Sequence, residues 1–252
     1  MGLICVSTAG AASGPGLIGK LDVKGERNVG YDRDLFDLWI DANSNGCDTR
    51  DEVLYRQNRD PSTYCGASRG IWKSAYDGLR FTDSSDLDID HFVPLSEAWG
   101  SGAKKWSAGT RTRYANDLYG YSLLAVSASS NRSKGDSDPS EWLPRSSFRC
   151  VYAARWIAVK YRWRLSVDRG EKSALRRIMR GCAARSLKVR STRRAKIGFK
   201  GKGGGGGNTG GLDPRFSTCS AAKAAGYGPY VQGRDPEYAW YRDADGDGIV
   251  CE

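Results

Sequence analysis

Along residues 146–165, Phe148, Tyr152, Trp156, Val159 and Trp163 recur at spacings of three and four, the period of a helix with one buried face. Glu171, Ala174, Leu175, Ile178, Met179 and Cys182 repeat that period, which predicts a second helix with Ser166 or Asp168 as its N-cap. An antiparallel hairpin of the two would set the start of the first beside the end of the second, where Cys150 and Cys182 lie. The aromatic stripe reads as core rather than as a platform on which bases stack. Upstream the period shortens to two. DLDIDHFV, from residue 86, alternates apolar and acidic positions as a half-exposed strand does, and YSLLAVS at 121–127 reads as a second strand. Between them SEAWGSGAKKWSAGTRTRYANDLYG suits helix with glycine breaks, and the segment beginning NRSKGD suits the opening of a short helix.

The pattern stops near residue 185. From Arg185 to Lys202 there are eight Lys or Arg and no acid, followed by GGGGG at 203–207 and then NTGGLDP, a composition that cannot pack a core. The expected organisation is therefore a first domain over 15–184, a basic flexible linker over 185–213, and a small module over 214–252. Residues 1–14, MGLICVSTAGAASG, resemble a clipped signal or leader without a basic start. No stretch approaches eighteen consecutive apolar residues, so no membrane-spanning helix is expected.

A 252-residue chain that is 39% hydrophobic can bury a core, which excludes disorder throughout. The net charge of +10 favours polyanionic partners, nucleic acid or an acidic cell-surface polymer among them. Of seven cysteines, six fall into local pairs, Cys47 with Cys65, Cys150 with Cys182 and Cys219 with Cys251, and none has CxxC spacing. That pattern reads as disulfides in an exported protein rather than as a zinc knuckle.

The chain has one histidine, His91, and it directly follows Asp90. A neutral imidazole is the commonest general base near neutral pH, and a carboxylate beside it suits a divalent cation held close to an activated water. One histidine cannot build a His-rich metal site, and no GxSxG elbow marks a serine nucleophile. DIDHFVPLSEAWGSGAKKW and LLAVSASSNRSKGDSDPSEWLP, with NGCDTRDEVL at 45–54, closely resemble exported HNH endonucleases of the ββα-metal, or His-Me finger, fold and of the GmrSD C-terminal type. The resemblance spans most of residues 25–145. It implies an α+β protein with a ββα-metal core, added helices and disulfides, that hydrolyses phosphodiester bonds of DNA or RNA with little base specificity. By the same resemblance His91 is the general base, Asp90 and Asn131 hold one Mg²⁺ or Mn²⁺, and Glu97, Arg132 and Lys134 fall inside the motifs, the last two placed to contact phosphate. Nine residues before Asn131, where the family usually carries an asparagine that orients the imidazole, stands Ser122. Ser122 would take that role through its hydroxyl or leave it to backbone, with Asn116 a second candidate.

The C-terminal RDADGDGIVCE sets Asp243, Asp245 and Asp247 at alternate positions before Gly248, so that a tight loop turns their oxygens onto one cation. With Glu252, and with Cys219 and Cys251 bracketing the segment, it resembles the Excalibur calcium-binding module, over Phe216 to Glu252. A second EF-hand-like string, DANSNGCDTRDE at 41–52, overlaps the nuclease-like motif. The resulting expectation is a secreted or cell-surface metal-dependent endonuclease carrying a Ca²⁺ module. The alternative is a calcium-dependent surface or wall-binding protein whose nuclease fold has weak activity or none.

Overall fold

The computed structural model describes residues 12–42, 45–119, 121–189, 194–199, 217–220, 222, 230–232, 236–243 and 249–251. In chain order the elements are β1 (Ala12–Ser13), α1 (Gly14–Ile18), α2 (Thr49–Gln57), β2 (Arg69–Lys73), β3 (Arg80–Asp83), β4 (Leu87–His91), α3 (Leu95–Ser101), α4 (Ala108–Ala115), β5 (Leu123–Ser127), α5 (Ala128–Lys134), α6 (Arg149–Trp163), α7 (Arg169–Arg180), β6 (Lys188–Val189), β7 (Tyr230–Val231) and β8 (Ile249–Val250). The architecture is α+β: helices with small two-stranded antiparallel sheets, β1 with β6, β2 with β3, β4 with β5, and β7 with β8.

Both predicted strands form. They pair antiparallel in unbroken register, from Leu87 opposite Ser127 to His91 opposite Leu123, and α5 follows β5 directly. NRSKGD does not open this helix, as its composition suggested, but closes it. Ser127 caps the start by accepting from the Ser130 amide, and the chain leaves at Gly135 with φ 53°, a left-handed angle that glycine adopts without a Cβ clash. Leu87 and Ile89 pack with Leu123, Ala125, Val53, Leu54 and Trp72 in a small core against α2.

The larger core belongs to the helices. In α6 the stripe of Tyr152, Trp156, Val159 and Trp163 is buried, with Ala153, Ala154 and Ile157 filling the gaps. For α7, Asp168 rather than Ser166 is the cap, in a reciprocal capping box with Glu171. The helices meet as the cysteines require, and Cys150–Cys182 closes with an S–S distance of 2.04 Å. Cys47–Cys65 and Cys219–Cys251 are also bonded. Ordered packing extends past residue 184: Leu187 and Val189 are buried, and Lys188–Val189 pairs with Ala12–Ser13. The remainder of the expected linker, apart from 194–199, and residues 1–11 of the expected leader lie outside the described residues. No described helix is long and apolar enough to cross a membrane.

Candidate functional site

His91 ends β4 with its imidazole between two aromatic rings. Trp39 stacks on it at 5.6 Å between centroids and 25° between planes, and Tyr114 lies 6.3 Å away at 26°. Its Nε2 is 2.8 Å from the Ala115 carbonyl oxygen, an acceptor only, so Nε2 carries the proton and Nδ1 keeps the lone pair. No described residue hydrogen-bonds Nδ1. Burial pushes the imidazole pKa down to about 3 against the raising effect of that carbonyl, with the positive charges of Arg33 and Lys134 adding to the fall. The ring is therefore neutral at physiological pH, the form a general base requires.

The carbonyl is held by its neighbours in the tripeptide Ala115-Asn116-Asp117. Asp117 accepts from Arg162 Nε at 2.9 Å, Trp163 Nε1 at 2.9 Å and Ser122 Oγ at 2.7 Å, which ties the segment to α6. Asn116 donates to the Asp37 carbonyl at 2.7 Å and accepts from the Ile40 amide at 3.2 Å, bracketing Trp39. Trp39 itself sits at φ 57°, a left-handed conformation that costs a non-glycine residue about 1–3 kcal/mol and persists where its surroundings enforce it. Ser122 is thus not the residue that orients His91. Its hydroxyl is committed to Asp117, and its carbonyl accepts from the Phe92 amide at 2.9 Å. Backbone takes the role, and Asn116 acts on Trp39 rather than on the imidazole.

Asp90 points to the other face of β4, as alternation along a strand dictates. Lys134 reaches it from α5, with Nζ 2.7 and 2.8 Å from the two carboxylate oxygens and 2.9 Å from the His91 carbonyl. Tyr76 also donates to Asp90 Oδ2. Burial raises the Asp90 pKa while Lys134 and the Tyr76 hydroxyl oppose it. Lys134 is 1% exposed, so it does not meet phosphate from this position as the motif suggested. Arg132, two residues before Lys134 on α5, is exposed.

Asp90 and Asn131, expected on one ion, are not bonded to a common partner. Asn131 Nδ2 donates instead to Asp88 Oδ2 at 3.1 Å. Asp88 is half-buried and, two residues from Asp90, shares its face of the strand. Asp88 and Asn131 are thus the oxygen-bearing side chains that β4 and α5 bring together. Asp88 was findable from the period of two; Trp39, Tyr76 and the Ala115 carbonyl carry no local sequence signal.

Glu97 lies outside this site, buried against Lys160 of α6, which also bonds Glu171 Oε2 at 2.8 Å and Glu26 Oε1 at 3.3 Å. In the C-terminal module Asp243 accepts from Tyr238 Oη at 2.7 Å, while Asp245, Asp247 and Glu252 lie outside the described residues. In the 41–52 string, Asp41 accepts from the Asn45 and Gly46 amides, and Glu52 is taken by Asn45 and Arg56. Asn43 lies outside the described residues.

A histidine-centred site on a strand pair and its following helix, in a disulfide-bonded α+β chain, defines a class in which comparison with known proteins becomes specific. Residues 47–178, more than half of the chain, match the family model "GmrSD restriction endonucleases, C-terminal domain", and the chain belongs to that family. Residues 216–252 match the Excalibur calcium-binding domain. An "Uncharacterized secreted protein" of Arthroderma benhamiae (strain ATCC MYA-4681 / CBS 112371) is 46% identical over 156 residues, covering 61% of this chain and 76% of that protein. No solved structure matches the chain significantly.

Proposed function

We propose that the protein is a divalent-metal-dependent endonuclease of HNH type, with His91 as general base. The observation that carries this reading is the imidazole held neutral, with Nε2–H on the Ala115 carbonyl and Nδ1 left as the acceptor. His91 Nδ1 would take a proton from water as the water attacks phosphorus, and the departing 3′ oxygen would leave with the bond electrons. A Mg²⁺ or Mn²⁺ ion, when bound, would stabilise charge on the phosphate and on that oxygen. Asn131 would hold it with Asp88, which lies on the face of β4 opposite His91, so the ion and the imidazole would serve one phosphate only where the strand ends and twists at His91. Asp90, assigned by resemblance, would join only if Lys134 moved off its two oxygens. Arg132, exposed beside the pair, would meet phosphate.

The protein is secreted or cell-surface: it carries disulfides, an Excalibur domain and a relative named as secreted. The Excalibur match makes the C-terminal module a Ca²⁺ binder, with Asp243, Asp245, Asp247 and Glu252 as its proposed ligands. The domain division at about residues 184 and 213, and DNA as the preferred substrate, belong to the same proposal. A second reading, a calcium-dependent surface protein without nuclease activity, draws on the capping of Asp90 by Lys134.

Plasmid nicking in Mg²⁺ or Mn²⁺ separates the two. The expected result is cleavage by the wild type that chelator abolishes and His91→Ala reduces by about 10²-fold or more. The acid limb of the rate should not lie at 6.5, because the base stays neutral down to about pH 3. Equal cleavage by His91→Ala removes His91 from the mechanism, and no cleavage by the wild type favours the second reading.

A further inference from the structure

We infer that the outer face of α7 is a phosphate-backbone binding surface, a second contact of the protein with its nucleic acid. A groove of about 430 Å³ runs along this helix, lined by Arg169, Lys172, Arg176, Arg180, Ser173 and Val23. At about 100° per residue the five α7 positions fall on one side of the helix, while Glu171, its only acid, falls on the other. Glu171 is wholly buried and bonded to Lys160 Nζ at 2.8 Å. That buried pair fixes the rotation of α7, keeping the acid inside and the basic row outside.

The arginines of the row have no carboxylate partner among the described residues, and the Lys172 ammonium contacts the Leu21 carbonyl at 3.2 Å. Lys172 acts on the Asp22 carboxylate, but a row of four cations keeps a net positive charge that strongly attracts a polyanion. From Arg169 to Arg180 it spans about 16 Å, the axial rise of about five nucleotides at ~3.4 Å each. Arginine forks bind phosphate oxygens two at a time, and Ser173 adds a hydroxyl donor in the same groove. A nucleic acid strand supplies repeated phosphates at that scale and needs no base contact to be held. The assignment rests on the nuclease reading for its choice of polyanion.

The test is fluorescence anisotropy of a labelled DNA duplex with the full chain in chelator, where metal-dependent cleavage stops. Arg169→Gln/Arg176→Gln/Arg180→Gln is compared with an equal loss of charge on the β2–β3 side, Arg59→Gln/Lys73→Gln/Arg80→Gln, all exposed positions. The α7 variant should bind about tenfold or more weakly, with the slope of log K against log salt shallower by about 2.7, or 0.9 per phosphate contact. The β2–β3 variant should stay near the wild type, and replacing the three arginines by lysine should restore most of the binding. Binding by the α7 variant equal to the wild type overturns the assignment, as does an equal loss in both triple variants. An equal loss on poly-glutamate overturns the choice of nucleic acid in favour of acidic polymers at large. A wild type that cleaves plasmid while the α7 variant binds normally sinks this inference alone. A wild type that neither binds nor cleaves sinks the nuclease reading as well.

Discussion

Lys134 and Lys160 are both buried, at 1% and 0% exposure, and the chain accommodates them differently. Lys134 has one carboxylate, Asp90, with the His91 carbonyl as a further acceptor. The charges cancel, and Tyr76 completes the carboxylate's hydrogen bonding. Lys160 has three carboxylates, Glu26, Glu97 and Glu171. Burial alone would lower the Lys160 pKa, but the combined field of Glu171, Glu97 and Glu26 raises it above the ordinary lysine value. The surplus negative charge is relieved by protons: burial and the hydrogen bond to Glu97 push Glu26 up to about 9, and burial pushes Glu171 up to about 7. One ammonium can satisfy a single buried carboxylate, whereas three around it become a titrating cluster.

The largest expected effect breaks the second region. Lys160→Met leaves three carboxylates gathered without their cation and should destabilise the fold by about 3–5 kcal/mol, read as a lowered midpoint in urea unfolding. Lys134→Met should be milder, about 1–3 kcal/mol, because Asp90 can take a proton and keep the Tyr76 bond. A larger loss for Lys134→Met than for Lys160→Met would reverse the comparison.

A smaller effect sharpens it through pH. Glu26 and Glu171 have folded pKa values above their ordinary 4.5, so their contribution is fully present below that value and is lost as pH rises through about 7 and about 9. His91 acts in the opposite sense: its folded value near 3 lies below 6.5, so its contribution is present above 6.5 and lost as pH falls towards 3. Glu26→Gln should therefore flatten the decline of unfolding free energy between about pH 4.5 and 9, most visibly above 7, and leave stability below pH 4.5 unchanged. An identical alkaline decline in both proteins would remove Glu26 from the cluster's titration.

The same two regions mark how far the sequence could be read. The helices around Lys160 were legible because Tyr152, Trp156, Val159 and Trp163 repeat at helical spacing, and Cys150 and Cys182 sat where an antiparallel hairpin must bring them. The β4–β5 pair was legible from alternation, and His91 from its motif. What the alternation could not convey is who meets whom across the fold. Lys134 read as a phosphate contact because nothing local reveals that it turns inward to Asp90. Ser122 read as the imidazole's support because a backbone carbonyl, Ala115, has no residue identity to recognise. Glu97 looked like part of a nuclease motif, yet its partner is sixty-three positions away.

The stacking of Trp39 and Tyr114 about the only imidazole also has a spectroscopic consequence. In a single-histidine chain every imidazole resonance belongs to His91, without assignment. Placed between two aromatic faces, its carbon-bound protons should be displaced upfield by ring currents. Their chemical shifts become a direct monitor of whether nucleic acid or a metal ion reorganises the surroundings of His91.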